Sequence, residues 1–239
     1  MIVGATDGIG LVLARRYVDE EWRVGVLGPD PARVDAVAGD LRTRAPGATV
    51  VGGVLDVRRA ERVVPALEDV LAELGQVDLL IYSAGVLEED ESPAAVRRMV
   101  KVNLLGAIGV LSWGAGYFAA AGTGHLAALG SVAGDRGRAA QPVYAATKAG
   151  LHAYLEGLRN RLHPLGVRVT TIKPGWVRTK MLGTAGRFPG AIDPDRAAEI
   201  IERNLRRGCE VFYVPWRWSL ISLTLRLLPR PLYKRLAPP

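Results

Sequence analysis

Met1-Ile2-Val3-Gly4-Ala5-Thr6-Asp7-Gly8-Ile9-Gly10 runs an apolar start into a G-x-x-x-G-x-G loop, and a helical pattern follows from Gly8 to Glu20. A strand, a glycine turn and a helix in that order let backbone approach a pyrophosphate and leave its charge at a helix N-terminus. A plain tight turn is the alternative for the same glycines. Outward from this stretch the pattern repeats. Apolar runs at Val24–Leu27, Thr49–Val54, Leu79–Tyr82, His125–Leu129, Arg168–Ile172 and Glu210–Val214 read as strands. Helical patterns over 31–45, 60–74, 93–121 and 142–163 separate them, and a last one runs from the Asp193-Pro194 cap to near Gly208. Most strands are continuously apolar rather than alternating, as in a parallel sheet covered on both faces.

The fold expected is α/β: a Rossmann-like, doubly wound parallel sheet in three α/β/α layers. Residues 1–215 read as a single catalytic domain and residues 216–239 as a C-terminal amphipathic extension. At 239 residues, 49% hydrophobic and 23% charged, the chain suits one soluble domain. Cys209 is alone and no secretory leader is seen, which points to a reducing cytoplasm. His125, His152 and His163 are scattered without ligand spacing, so no metal is expected. Of the net charge of +7, five units lie after Glu210, on Arg217, Arg226, Arg230, Lys234 and Arg235. A nucleic-acid face on the main domain is therefore not expected.

Tyr144-Ala145-Ala146-Thr147-Lys148 places a phenol and an ammonium one helical turn apart, with Ser131 thirteen residues upstream. A phenol is a poor acid or base at neutral pH. A lysine one turn away favours the phenolate and is expected to move the tyrosine toward working pH. The serine hydroxyl can hold a substrate oxygen beside the phenol.

These residues, with Asp56-Val57, Ser83-Ala84-Gly85, Asn103, and Pro174-Gly175 followed by Val177 and Thr179, resemble the short-chain dehydrogenase/reductase family over essentially residues 1–215. The resemblance implies an NAD(P)-dependent oxidoreductase interconverting a secondary alcohol and a ketone. Tyr144 is then the acid/base, and Lys148 lowers its pKa and binds the nicotinamide ribose. Ser131 orients the carbonyl, and Asn103 anchors a water in a proton relay. Gly4, Thr6, Asp7, Gly8, Ile9 and Gly10 take the pyrophosphate side. Asp56 and Val57 lie by the adenine, Ser83-Ala84-Gly85 forms the floor, and Pro174, Gly175, Val177 and Thr179 lie at the nicotinamide amide. The resemblance also implies a homodimer or homotetramer through the helices at 93–121 and 142–163. A catalytically silent dinucleotide-binding regulator or interaction protein of the same fold is the rival reading.

Three departures bear on this. Ser83 stands where the family usually has Asn. Only three residues precede the glycine loop, so either the first strand is short or the true start lies upstream. At cofactor choice, Gly28 replaces the acid of NAD-preferring members, and Pro29 and Asp7 replace the basic residues of NADP-preferring ones. The missing acid leaves room for a 2′-phosphate that Arg33 could approach, so NADP is expected over NAD.

In the tail, Ser219, Ser222 and Arg226 share a narrow polar face, and Leu220, Ile221, Leu223, Leu225, Leu227 and Leu228 fill a wide apolar one. This run is short of the ~20 residues that cross a bilayer. Three readings stay open: packing on its own domain or a second subunit, docking at the inner face of a membrane, or a lip over the substrate cleft. The tail ending Leu228-Pro229-Arg230 is similar to reductases acting on a keto sugar attached to decaprenyl phosphate. So are Val143-Tyr144, Thr147-Lys148-Ala149-Gly150-Leu151, Gly166-Val167-Arg168-Val169 and Val177-Arg178-Thr179, which hints at a hydrophobic or lipid-linked substrate. Glu88, Glu89, Asp90 and Glu91 read as a solvated loop. Trp176 is a candidate for the pocket wall, and the loop Lys180–Ile192 is expected to close over substrate.

Overall fold

In the computed structural model, residues 1–182 and 189–236 are described. The chain runs β1 (Ile2–Val3), α1 (Gly8–Asp19), β2 (Val24–Gly28), α2 (Pro31–Arg44), β3 (Val50–Val54), α3 (Ala60–Leu74), β4 (Leu79–Tyr82), α4 (Pro93–Val100) and α5 (Ala107–Ala121). It continues with β5 (Gly124–Leu129), α6 (Pro142–Leu162), β6 (Val167–Pro174), α7 (Pro194–Arg206), β7 (Val211–Val214), α8 (Arg217–Leu227) and α9 (Arg230–Leu236). The strands form one parallel sheet in the order β3-β2-β1-β4-β5-β6-β7, so the winding reverses between β1 and β4. This is the doubly wound α/β fold expected from the strand pattern.

Each face of the sheet buries its own apolar cluster. One side joins Leu13, Val18, Leu41 and Ile201 from α1, α2 and α7. The other joins Val63, Leu67, Leu111, Phe118, Leu151 and Leu155 from α3, α5 and α6. His125 belongs to this interior: its ring bonds the Thr170 hydroxyl at 2.8 Å, and burial pushes its pKa down to about 4. It is a core residue.

Two details depart from the sequence patterns. The helix expected over 93–121 is interrupted by a π-type turn at Lys101–Gly106. That wider turn brings Val102 and Asn103 inside and leaves Leu105 outside. The tail helix α8 also turns Ser222 of its polar face inward, with Trp218 beside it, while Arg226 stays exposed. Ser222 is buried, whereas Leu220, Ile221, Leu223 and Leu227 are exposed. The inward face meets charged partners as well as the buried Trp218 contact: Ser222 bonds the Asp135 carboxylate, and the Arg136 guanidinium donates to the Leu225 and Leu228 carbonyls.

β1 is only two residues long but is paired on both sides, Ile2 with Val26 and Ile81, Val3 with Leu27 and Tyr82. It leads straight into the glycine turn. Gly4 takes φ +86, and a β-carbon there would lie 2.5 Å from the Ala84 nitrogen. One on Gly10 would collide with the Gly4 carbonyl and come within 2.9 Å of the Ser83 hydroxyl. Gly10→Ala is expected to cost about 1–3 kcal/mol through this overpacking. Thermal unfolding checks it, since an unchanged Tm contradicts the close fit.

Candidate active site

At the switch point, the carboxyl ends of β1, β4, β5 and β6 open onto a cleft of about 750 Å³. It is lined by all the expected residues except two: Gly4, Thr6, Asp7, Gly8, Ile9, Asp56, Val57, Ser83, Ala84, Gly85, Ser131, Tyr144, Lys148, Pro174, Gly175, Val177 and Thr179. Gly10 and Asn103 stand behind the wall. Gly10 packs under the turn, and Asn103 is wholly buried.

At one end of the cleft, α1 offers first-turn amides that lack intrahelical partners. Asp7 caps the helix, its carboxylate accepting from the Gly8 amide at 2.7 Å. An acid here would oppose a pyrophosphate, but it is paired with Arg33 at 3.0 Å and Lys180 at 3.1 Å. Partial burial raises the Asp7 pKa, yet these bonds outweigh it and the carboxyl titrates below its ordinary value. One acid with two cations leaves the loop net positive, so the residues present fit a dinucleotide pyrophosphate. Gly28, at the end of β2, faces the Thr6 side chain, and a β-carbon would fall 2.6 Å from its methyl. No acid fits there while Thr6 keeps its place. Asp56 is held by Arg58 at 2.7 Å, and that bond, against the opposing effect of burial, brings its carboxyl below the usual range.

At the other end, α6 carries Tyr144 and Lys148 on one face. The Tyr144 phenol hydrogen-bonds the Ser131 hydroxyl, which also accepts from the Ala133 amide at 3.1 Å. Lys148 is buried; its Nζ donates to the Leu129 carbonyl at 2.9 Å and lies 5.8 Å from the Tyr144 ring centre. Burial brings the ammonium pKa down to about 8. The expected lowering of the tyrosine pKa is not found. Burial raises it, against smaller opposing effects from Ser131 and Arg138. The cost of burying a phenolate explains the difference.

Asn103 faces the site from the π-type turn. Its Oδ1 accepts from the Val86 amide at 2.8 Å, its Nδ2 donates to the Val86 carbonyl at 2.8 Å, and Thr147 lies at 3.4 Å. Both amide atoms are therefore committed to holding the segment after β4.

Trp176 lines the cleft, as do Leu87, Arg138, Gln141, Met181 and Leu182. Arg138 and Gln141 were missed in the sequence, although their place between Ser131 and Tyr144 could have flagged them. Glu88 is also at the rim, half-buried and paired with Arg98 at 3.3 Å, while Glu89, Asp90 and Glu91 are exposed. Of the loop expected to close over substrate, residues 183–188, with Gly183 and Gly186, lie outside the described residues.

A pyrophosphate cradle beside a Ser–Tyr–Lys cluster defines a dinucleotide-dependent oxidoreductase. The family model for short chain dehydrogenases matches residues 1–189. The chain is 36% identical over 243 aligned residues to an uncharacterized oxidoreductase in the mprA 5′ region of Streptomyces coelicolor, covering 99% of this chain and 94% of the relative. Among solved structures, it resembles a short-chain dehydrogenase from Sphingobium yanoikuyae in complex with NADPH (25% identity, TM-score 0.82, 96% of each chain). It likewise resembles a 3-ketoacyl-(acyl-carrier-protein) reductase from Brucella melitensis complexed with NADH (25% identity, TM-score 0.77, 85% of this chain and 88% of that one). The chain belongs to the short-chain dehydrogenase/reductase family and is an NAD(P)-dependent dehydrogenase/reductase.

Proposed function

We propose that this enzyme interconverts a secondary alcohol and a ketone, with Tyr144 as the proton donor and acceptor. The observation that carries this is the bonded Ser131–Tyr144 hydroxyl pair in the cleft wall, with a buried ammonium one turn away. When bound, the nicotinamide supplies or takes the hydride at the substrate carbon. In the reductive direction Ser131 donates a hydrogen bond to the carbonyl oxygen and Tyr144 delivers the proton to it. Its raised pKa keeps the phenol protonated at neutral pH, the form this step needs. Lys148 holds a positive charge beside the phenolate left behind and takes the cofactor ribose, and Asn103 supports the proton relay.

NADP is the cofactor we assign over NAD. Gly28 brings no acid to the adenosine ribose, and Arg33, held by Asp7 and the Thr6 carbonyl, lies next to that position. Residues 1–215 act as the catalytic domain and 216–239 as the extension. The enzyme assembles as a homodimer or homotetramer through α4–α5 and α6, where Leu105 is 56% exposed.

The substrate is hydrophobic or lipid-linked, and the protein is cytoplasmic with peripheral contact at a membrane. Trp216, Leu220, Leu223, Leu227 and Leu232 are exposed beside Arg217, Arg226, Arg230, Lys234 and Arg235, the mixture that favours an anionic lipid surface. At eleven residues, α8 lies on a bilayer rather than through it.

Five outcomes are expected. A carbonyl panel that includes 9,10-phenanthrenequinone and keto sugars on polyprenyl phosphate should yield NADPH-dependent reduction. Tyr144→Phe should cut it about 10²–10⁴-fold with NADPH binding kept. Reductive kcat/KM should fall as pH rises through about 8, because the Lys148 ammonium is lost there while the phenol stays protonated. Full activity in the phenylalanine variant would favour the silent-binder reading. Arg33→Ala should raise KM for NADPH about tenfold, a loss of ~1.4 kcal/mol, and leave NADH unaffected; equal effects on both would reject the 2′-phosphate role. Finally, Leu223→Asp with Leu227→Asp should abolish co-sedimentation with phosphatidylglycerol vesicles, and retained binding would rule out this surface.

A further inference from the structure

Behind the proposed catalytic serine lies a buried polar cluster that the reaction itself does not use. His152 sits on α6 one turn beyond Lys148 and two beyond Tyr144, on the same face. Its ring fills the space left by two glycines flanking Ser131. A β-carbon on Gly130 would collide with Nε2, and one on Gly134 would lie 2.7 Å from Cε1.

The Ser131 amide N–H donates to His152 Nε2 at 3.4 Å. An accepting Nε2 places the proton of the neutral ring on Nδ1. Nδ1 faces Asp135 Oδ1 at 3.7 Å. Asp135 is fixed in turn by Lys173 at 2.5 Å, by the Tyr213 hydroxyl at 2.9 Å and by the Ser222 hydroxyl. The three charged or ionisable side chains are nearly closed to solvent, at 12% for His152, 5% for Asp135 and 11% for Lys173. Burial first, and then the nearby Lys173 and Lys148 charges, outweigh the pull of Asp135 and lower the imidazole pKa to about 3. The ring therefore stays neutral and keeps its acceptor. Ser222 and Tyr213 belong to α8 and β7, so the chain of contacts ends in the tail. A second contact runs parallel to it: Trp218 of α8 packs on Gly175 and stands edge-on to Trp176 at 5.1 Å.

We propose that His152 and Asp135 are positioning residues that hold the Ser131 backbone so that its hydroxyl faces Tyr144, and that α8 is a structural part of this brace through Ser222. The inference rests on the role given to Ser131 above. It assigns the tail helix a task on its inward face, separate from anything its outward face does.

The test compares His152→Leu, which removes the acceptor, with His152→Gln, which restores one at a similar reach. Reduction of 9,10-phenanthrenequinone by NADPH, NADPH Kd and hydrogen exchange at the Ser131 amide are measured together, with Ser131→Ala as control. The leucine variant is expected to lose about 10–100-fold in kcat, to keep NADPH Kd within about twofold, and to exchange the Ser131 amide faster. The glutamine variant should recover most of both losses. Equal kcat in the leucine variant and the unaltered enzyme overturns the brace, as does a leucine-variant loss the glutamine fails to restore. Should the leucine variant not fold, Asp135→Asn carries the comparison, and unaltered kcat and amide exchange there overturn it too. A fully active Ser131→Ala would instead bring down the role of the serine, and so is told apart from failure of the brace.

Discussion

The buried ammonium of Lys148, bonded to the Leu129 carbonyl at 2.9 Å, ties helix α6 to the end of strand β5. A charge taken out of water must be paired or lose its proton. The carbonyl at the open end of a parallel strand provides the partner. With α6 pinned there, Tyr144 is set one turn up against Ser131 and His152 one turn down behind it. Thr147, on the inner side, reaches Asn103. Burial of the ammonium depresses the lysine's proton affinity, so the enclosure that comes with pinning the helix also tunes the group at its centre.

The glycine turn solves a different electrostatic problem. An aspartate at the cap of α1 satisfies an orphan amide but puts negative charge where a phosphate must lie. Arg33 and Lys180 answer it from two separate elements. The acid becomes an anchor for two cations, and the loop gains an electropositive rim that its own residue types do not suggest.

The strands were readable because a sheet covered on both faces demands unbroken apolar runs, as in Leu79-Leu80-Ile81-Tyr82. The cleft was readable because Gly4, Ser131, Tyr144 and Lys148 stand at strand ends or on one helical face, where spacing in sequence is spacing in space. What escaped is three-dimensional. Asp135, Lys173, Tyr213 and Ser222 come from four segments and meet only once β5, β6 and β7 are side by side. The orientation of α8 escaped for the same reason: a helical wheel shows which residues share a face, but not that a charged cluster waits for the polar one. The direction of the Tyr144 pKa shift also depends on how deeply the phenol is buried, which helical spacing leaves undetermined.

Asn103 exchanges both hydrogen bonds with Val86, one accepted and one donated. That is the pairing one peptide group makes with another across a sheet. The side-chain amide thus imitates a strand neighbour just past the last residue of β4, and backbone order extends into the cleft floor where no further strand exists. An aspartate there has no proton to return, and a leucine offers neither half of the pair. The primary amide on a short stem is the chemical group that lets one side chain stand in for a piece of main chain.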